Sequence, residues 1–153
     1  MLARRAVENR EVLSLLCREF GDDIIKNGEL DRRELARRAF ATKEGTADLS
    51  AITHPEITRL AIELIHKAYD DGKKAAVIDA ALLYDSPLVA VCQKNICVVA
   101  DEEIRLQRIM KRDSITESDA KLRINAQPSA EYYKGKADIV IENNDNFLIP
   151  DLF

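Results

Sequence analysis

The 153-residue chain has no tryptophan, only five glycines and only 5% aromatic residues. So few aromatic side chains argue against the stacking surfaces that bind single-stranded nucleic acids. The net charge of −4, with both signs mixed along the chain, gives no broad basic surface for nucleic acid or for an anionic membrane. No apolar run approaches transmembrane length, and residues 1–12 lack the apolar core of a secretory signal. We therefore expect neither a nucleic-acid partner nor a membrane partner.

Common metal-binding and nucleophile motifs are missing as well. The two histidines, His54 and His66, are far apart, and the three cysteines, Cys17, Cys92 and Cys97, have no metal-ligand spacing. No HExxH, GxSxG, GxGxxG or GxxxxGK[ST] motif occurs. The sequence therefore predicts no metal site built from its own side chains. An odd number of cysteines in apolar surroundings favours reduced thiols, which is typical of a cytoplasmic protein.

Helical periodicity dominates the first part of the chain. Apolar residues recur at three- to four-residue spacing, which predicts helices over 3–20, 32–40, 46–52 and 55–71. Asn27 followed by Gly28 predicts a turn. Asp31 followed by Glu34 resembles a capping box that opens the second of these helices. Pro55 is expected at the first position of the last one, where its missing N–H has no cost. Together they predict a helical lobe over about residues 3–72.

Three short apolar runs follow, and each has the length of a buried strand. They span residues 75–79, 96–99 and 137–141. Short helices are predicted over 86–91, from Thr116 onward and from Ser129 onward. Because helical segments separate the three runs, we predict an α/β fold with a parallel sheet and helices on both faces. The sheet core is expected over about residues 73–146, within one domain that extends over 1–153.

Polar residues stand where each predicted strand ends. Ligands of parallel sheets bind at the carboxyl ends of the strands. The residues found there are Asp79, the segment 101–112, and the pair Asn143 and Asn144.

The segment 97–113, CVVADEEIRLQRIMKRD, combines a strand with a helix that carries arginines. Asp101 suits the N-cap of this helix. Arg105, Arg108 and Arg112 follow at i, i+3 and i+7, so they share one helix face. Convergent guanidinium groups can bind a cluster of phosphates. The alternative is an ordinary amphipathic helix with solvated arginines.

Eight segments in chain order resemble the dephospho-coenzyme A kinase family, whose members are P-loop enzymes similar to nucleoside-monophosphate kinases. The matching segments are 3–7 (ARRAV), 20–21 (FG), 27–32 (NGELDR), 54–57 (HPEI), 77–85 (VIDAALLYD), 105–113 (RLQRIMKRD), 123–127 (RINAQ) and 137–144 (ADIVIENN). No single segment is specific, but their shared order and spacing are.

The resemblance implies an enzyme that uses ATP and Mg²⁺ to phosphorylate the ribose 3′-hydroxyl of dephospho-coenzyme A, the last step of coenzyme A synthesis. By resemblance, Arg108 and Arg112 are lid arginines that meet the ATP phosphates, within a lid segment over 101–126. Asn143 or Asn144 is expected near the adenine. The residues expected to line the acceptor pocket beside the helical lobe are His54, Asp79, Leu82 and Leu83.

Simpler interpretations of these residues stay open. His54 would then only cap its helix, Asp79 would be a strand-end acid paired with an arginine, and Asn143 and Asn144 would form only a turn. The oligomeric state is left open by the sequence.

The family pattern also has parts that these residues do not match. A first strand, the glycine-rich P-loop with its lysine, and an Asp-x-Asp precede the helix that corresponds to residues 3–7. The expected fold is therefore P-loop-kinase-like without its first strand and P-loop, and we expect the 153 residues alone to have little kinase activity. The alternative is a non-catalytic module that binds a coenzyme A-like ligand or has a regulatory role.

Overall fold

A computed structural model describes residues 2–125 and 127–144. The chain divides into two compact units, Met1–Ala90 and Val91–Phe153. The first unit contains helices α1 (Leu2–Ala6), α2 (Arg10–Phe20), α3 (Arg32–Ala39) and α4 (Lys43–Asp70), and short strands β1 (Ile25–Lys26) and β2 (Glu29–Leu30). The second contains strands β3 (Ile96–Val99) and β4 (Ile139–Glu142), and helices α5 (Glu102–Asp113), α6 (Glu117–Asn125) and α7 (Ala130–Lys134). The part of the predicted domain after Asn144 lies outside the described residues.

The predicted helix over 3–20 is wrong, because the chain breaks between Ala6 and Arg10. Asn9 has an extended backbone, and its side-chain oxygen accepts a hydrogen bond from the Glu11 N–H at 2.9 Å. This bond makes Asn9 an N-cap and starts α2 as a separate helix. The Asn9 amide also donates to Glu56 Oε1 at 3.1 Å, which connects the break to α4.

The core of the first unit lies between α2, α3 and the turn before β1. Leu16 and Ile24 are fully buried there, and Phe20 and Leu35 pack beside them. The predicted turn at Asn27 and Gly28 is confirmed: both have positive φ, 54° and 81°, as a tight β-hairpin turn requires. This turn pairs β1 with β2 in antiparallel register.

The start of α3 follows the sequence prediction. Asp31 Oδ1 accepts hydrogen bonds from the N–H groups of Arg33 (3.1 Å) and Glu34 (3.0 Å). These bonds satisfy two donors that the first helical turn leaves unpaired. The helix ends at Ala39.

Helix α4 corrects the prediction of two helices over 46–52 and 55–71. It is one helix from Lys43 to Asp70, with Thr42 as its N-cap and Pro55 in its interior. An interior proline loses one backbone hydrogen bond. The helix nevertheless continues, because apolar residues pack on both sides of the proline, Ile52 before it and Leu60 after it.

The predicted strand over 75–79 is absent: residues 73–82 form neither helix nor strand. A strand is stable only when its backbone N–H and C=O groups have a partner strand. Within the described part of the chain, no strand pairs with this stretch. Val77 is accordingly 84% exposed. The helix expected after this stretch is a 3₁₀ turn, Pro87–Val91.

The other two predicted strands are confirmed as β3 and β4. They pair in parallel, with Ile96 opposite Ile139 and Val99 opposite Glu142. Burial alternates along β3, where Cys97 is buried and Val98 is 59% exposed. The expectation of helices covering both faces is therefore wrong for the described residues, since one face of this strand pair is exposed.

The described helices of the second unit begin close to their predicted starts. Ser129 Oγ accepts a hydrogen bond from the Tyr132 N–H at 3.2 Å and caps α7. Thr116 Oγ1 accepts one from the Asp119 N–H at 3.2 Å at the start of α6. Helix α5 ends at Asp113, because Ser114 takes the left-handed conformation with φ 52°. Among the described helices, none is long and apolar enough to cross a membrane.

Candidate functional site

The carboxyl ends of β3 and β4 meet at one edge of the strand pair. The Asn143 N–H donates to the carbonyl oxygen of Val99 at 2.7 Å. One residue further on, Asn144 Oδ1 accepts a hydrogen bond from the Asp101 N–H at 3.0 Å. These two bonds hold the segment after β4 against the start of α5.

Asp101 occupies the predicted N-cap position of α5, but its carboxylate forms no capping hydrogen bond. Its backbone N–H is the group that is used, through the bond to Asn144. Glu102 and Glu103 lie in the first turn of the helix, where the positive end of the helix dipole favours them. The segment after β4 therefore contacts the residue that precedes α5.

Two arginines of α5 reach groups outside their own helix. Arg108 Nη1 donates to the carbonyl oxygen of Asn143 at 2.8 Å. Arg105 Nη2 donates to Gln127 Oε1 at 3.4 Å. The structure therefore brings together two of the predicted site residues, Arg108 and Asn143. It also shows that Asn143 and Asn144 do more than form a turn, since both anchor neighbouring segments.

Arg112 lies one helical turn beyond Arg108 and binds Asp113 with two hydrogen bonds. Its Nε and Nη2 groups donate to the two carboxylate oxygens at 2.7 and 2.9 Å. Arg123 of α6 binds the same carboxylate through Nη1. The hydrogen bond from Arg112 and the positive charges of both arginines hold the pKa of Asp113 below its ordinary value. Asp113 therefore stays ionised at neutral pH.

The residues predicted for the acceptor side all lie in the first unit. His54 is half-buried inside α4, so it does not cap a helix, and that interpretation is wrong. Asp79 is exposed in the stretch without regular structure, and no described residue of this unit pairs with its carboxylate. Leu82 is 54% exposed, and Leu83 begins the 3₁₀ turn Leu83–Asp85. His54 therefore lies on a helix, whereas Asp79 lies in a stretch that is neither helix nor strand.

An apolar cavity of about 220 Å³ lies within the first unit, bounded by α1, β2, α3 and α4. The residues that line it include Val7, Leu30, Leu35, Phe40, Leu49 and Ile57, with Arg32 and Thr53 as polar members. Thr53 directly precedes His54, so the cavity and the predicted histidine share one stretch of α4. No sequence pattern predicts this cavity, because its lining comes from four separate elements.

Metal ligands are not gathered anywhere in the described ranges. No group of three or more His, Cys, Asp or Glu side chains lies close enough together to hold an ion there.

Two residues with defined contacts were given no role by the sequence. In the sequence, Asp113 is only the last residue of the segment 97–113, and Arg123 belongs to the separate segment 123–127. The signal that could have indicated their link is an acid at the end of one helix followed by a basic residue in the next. Such a pattern is common on protein surfaces, so only the fold reveals the contact.

The second unit is thus an α/β unit whose strand ends meet a helix that carries exposed guanidinium groups, which is typical of proteins that bind phosphates. A family model described as dephospho-CoA kinase matches residues 1–148. The chain belongs to the dephospho-CoA kinase family.

Individual relatives agree with this assignment. The dephospho-CoA kinase of Fusobacterium nucleatum is 37% identical over 153 residues, which cover 99% of this chain and 77% of the relative. The crystal structure of TT1252 from Thermus thermophilus is similar with a TM-score of 0.73 and 31% identity, over 95% of this chain and 73% of that one. A dephospho-CoA kinase from Campylobacter jejuni has a TM-score of 0.53 and 26% identity, over 94% and 72% of the two chains.

Proposed function

We propose that the chain acts in the ATP-dependent phosphorylation of the ribose 3′-hydroxyl of dephospho-coenzyme A, the last step of coenzyme A synthesis. The observation that carries this proposal is the family match over residues 1–148. A cytoplasmic location stays a prediction that accompanies it.

The ATP side of the site is proposed at the carboxyl edge of β3 and β4. Arg108 and Arg112 are exposed on α5, where guanidinium groups can meet phosphate oxygens. The Arg108 side chain is oriented by its hydrogen bond to the Asn143 carbonyl, so it loses less conformational entropy when a ligand binds. We place the adenine near Asn143 or Asn144, whose backbone and side chain connect the two strand ends.

The acceptor side is proposed in the first unit, with His54, Asp79, Leu82 and Leu83 as lining residues. The apolar cavity beside Thr53 supports this placement, because dephospho-coenzyme A carries a long chain with apolar segments. A cavity of about 220 Å³ suits part of such a chain. Exposed leucines such as Leu82 would be covered when the acceptor binds.

Mg²⁺ is proposed as the family's metal ion, held mainly by the nucleotide. The described residues do not fit a site built by the protein alone, since no three-carboxylate or histidine cluster occurs among them. Magnesium in nucleotide sites commonly uses one or two protein ligands together with substrate phosphates. No step of the reaction is therefore assigned to protein-held metal.

The chemistry of these residues is electrostatic. Phosphoryl transfer relies on positioning and on positive charge around the transferred group. Arg108 and Arg112 would supply that charge, but the 153 residues contain no GxxxxGK[ST] segment to cradle the β- and γ-phosphates. We therefore propose that this chain by itself turns over slowly.

A coupled assay with ATP, Mg²⁺ and dephospho-coenzyme A tests the proposal. It is run on the 153-residue chain and on a version extended upstream in its own reading frame. The Arg108→Gln variant of the faster protein is expected to lose activity by roughly 10²-fold or more, because the substitution removes one positive charge that stabilises the transferred phosphoryl group. Lys94→Gln, which changes an exposed lysine outside the site, serves as the matched control.

The outcomes separate three cases. Transfer by the extended version alone supports the proposed activity and the need for a phosphate cradle. Transfer by the 153-residue chain supports the activity but contradicts the proposed slowness. No transfer by either folded protein contradicts the proposed function, and saturable binding of dephospho-coenzyme A without transfer would then favour a binding module.

A further inference from the structure

Helices α5 and α6 are joined through one carboxylate. Asp113 is the last residue of α5, and it receives two hydrogen bonds from Arg112 beside it. It also binds Arg123, ten positions further along the chain and in the next helix. The Arg112–Asp113 pair joins neighbouring residues of one helix, whereas the Arg123–Asp113 pair connects two helices.

The exposure of the three side chains is unequal. The Asp113 side chain is 21% exposed, while those of Arg112 and Arg123 are 73% and 55% exposed. The Asp113 side chain is therefore mostly covered, whereas the two arginine side chains extend towards solvent. In an ordinary surface ion pair both partners are solvated, as in the pair of Lys121 (53%) with Glu117 (59%) on α6.

Among the described contacts, the hydrogen bonds to Asp113 involve only some of the N–H donors of the two guanidinium groups. A guanidinium group has five N–H donors. Arg112 uses two of its donors on Asp113, and the described contact of Arg123 with Asp113 involves Nη1. The three side chains together carry a net charge of +1, so the remaining N–H groups form a positive, fork-shaped surface. Such a surface matches the oxygens of phosphate groups.

We propose that Asp113 is a positioning residue that holds Arg112 and Arg123 together as one binding pair for a chain of phosphates. Arg123 then becomes a further phosphate-contacting residue besides Arg108 and Arg112. This inference rests on the proposed function, because the phosphate chain is that of ATP. Asp113 itself does not touch the ligand, since its oxygens are directed to the two arginines.

The effect of Asp113→Asn on phosphate affinity differs in sign between two possible roles of Asp113: orienting the arginines or only neutralising their charge. If Asp113 only neutralised the arginines, the substitution would increase positive charge and tighten phosphate binding. If Asp113 orients them, the substitution separates the two guanidinium groups and weakens binding despite the added charge. The direction of the change in affinity therefore decides between the two roles.

The experiment follows the arginine Nε–H resonances of the 153-residue chain by NMR during titration with inorganic tripolyphosphate, and then with ATP. In the unchanged chain, Arg112 and Arg123 are expected to shift together along one saturation curve. In Asp113→Asn, the dissociation constant is expected to rise roughly fivefold or more, and the two curves are expected to separate. In Asp113→Glu, the resonances of Arg112 and Arg123 should again follow one saturation curve. Glu117→Gln, which breaks the neighbouring ion pair on α6, should leave that shared curve unchanged.

Unchanged or tighter binding by Asp113→Asn would overturn the proposal, as would a shift of Arg112 without Arg123 in the unchanged chain. If Asp113→Asn does not fold, Arg123→Lys replaces it: this variant keeps the charge but loses the fork, and equal affinity would overturn the proposal. The titration is independent of phosphoryl transfer. Joint binding without transfer in the coupled assay would contradict the proposed function only, whereas transfer without joint binding would contradict the arginine pair only.

Discussion

At the scale of single residues, Arg38 connects three parts of the first unit. Its Nε group donates to Glu34 one turn earlier in α3 at 2.6 Å, and its Nη1 group donates to Asp23 at 2.7 Å. It also donates to the carbonyl oxygen of Phe20 at the end of α2. Glu34 is the shared acceptor, because Arg37 binds it too. These bonds join α2, α3 and the turn between them.

This network makes the first unit sensitive to acid. Hydrogen bonds from Arg37 and Arg38 lower the pKa of Glu34 from the ordinary 4.5 to about 2. A carboxylate with a lowered pKa stabilises the fold fully above its ordinary pKa, and this stabilisation is lost as the pH falls towards 2. We expect the free energy of unfolding to fall less between about pH 5 and about pH 2.5 in Glu34→Gln than in the unchanged chain. Urea denaturation at both pH values measures this free energy.

The matched control for Glu34 is Glu19→Gln. Glu19 is exposed on α2, and no described residue forms an ion pair with it. The control should keep the loss of stability between the two pH values, because the network of Glu34 with Arg37 and Arg38 is intact in it. If Glu34→Gln and Glu19→Gln behave alike, the arginine network does not carry the acid sensitivity.

At the scale of elements, α4 is the feature in which local and tertiary preferences conflict. Pro55 favours a helix start at His54–Pro55, as the sequence indicated, yet the helix extends from Lys43 to Asp70. The segment before the proline carries Leu49 and Ile52, which pack on the core. Packing of that segment against α2 and α3 therefore outweighs the hydrogen bond that Pro55 removes.

Pro55→Ala tests this account of α4. An interior proline is about 3 kcal/mol less favourable than alanine in a helix, so we expect the substitution to raise the free energy of unfolding by up to about 3 kcal/mol. Urea denaturation followed by circular dichroism measures it. Pro87→Ala is the control, because Pro87 begins a 3₁₀ turn, where a missing N–H costs little. A stability loss in Pro55→Ala would instead support a helix that starts at Pro55.

At the scale of the whole molecule, the chain forms two compact units, and the division falls at Ala90. The first unit has the larger set of buried apolar residues, and the second is built on the β3–β4 pair. Residues 73–82, near the end of the first unit, have no regular backbone structure. The predicted boundary between a helical lobe and a sheet core at about residue 72 stays a prediction.

Limited proteolysis with trypsin tests the state of residues 73–82. Lys74 is exposed in this stretch, and backbone outside helices and strands is the preferred site of cleavage. We expect the first cut to follow Lys73 or Lys74, giving fragments that mass spectrometry identifies as ending or beginning there. The double variant Lys73→Gln and Lys74→Gln should be cut more slowly, whereas Lys121→Gln on α6 should not. Early protection of this stretch would favour the strand that the sequence predicted over 75–79.

Local features were predicted well because their causes are local. The Asp31 cap, the turn at Asn27 and Gly28 and the start of α5 after Asp101 each depend on residues within a few positions of each other. Two of the errors have a different cause: the course of α4 through Pro55 and the missing strand each depend on a contact, or on its absence, with residues distant in sequence. The break between α1 and α2 has both kinds of cause, since Asn9 caps α2 locally and also donates to Glu56 of α4.

Features of the candidate site likewise fall into two groups, those that the sequence pattern predicts and those that only the fold shows. The sequence by itself determined the family, the helical first part, the strands that became β3 and β4, and the arginines on one face of α5, because patterns of residue type and spacing encode them. Only the tertiary structure decided that Arg108 is bound to Asn143 and that Asp113 receives both Arg112 and Arg123. Periodicity shows which side chains share a helix face, but it does not show which distant groups the fold brings within hydrogen-bonding distance.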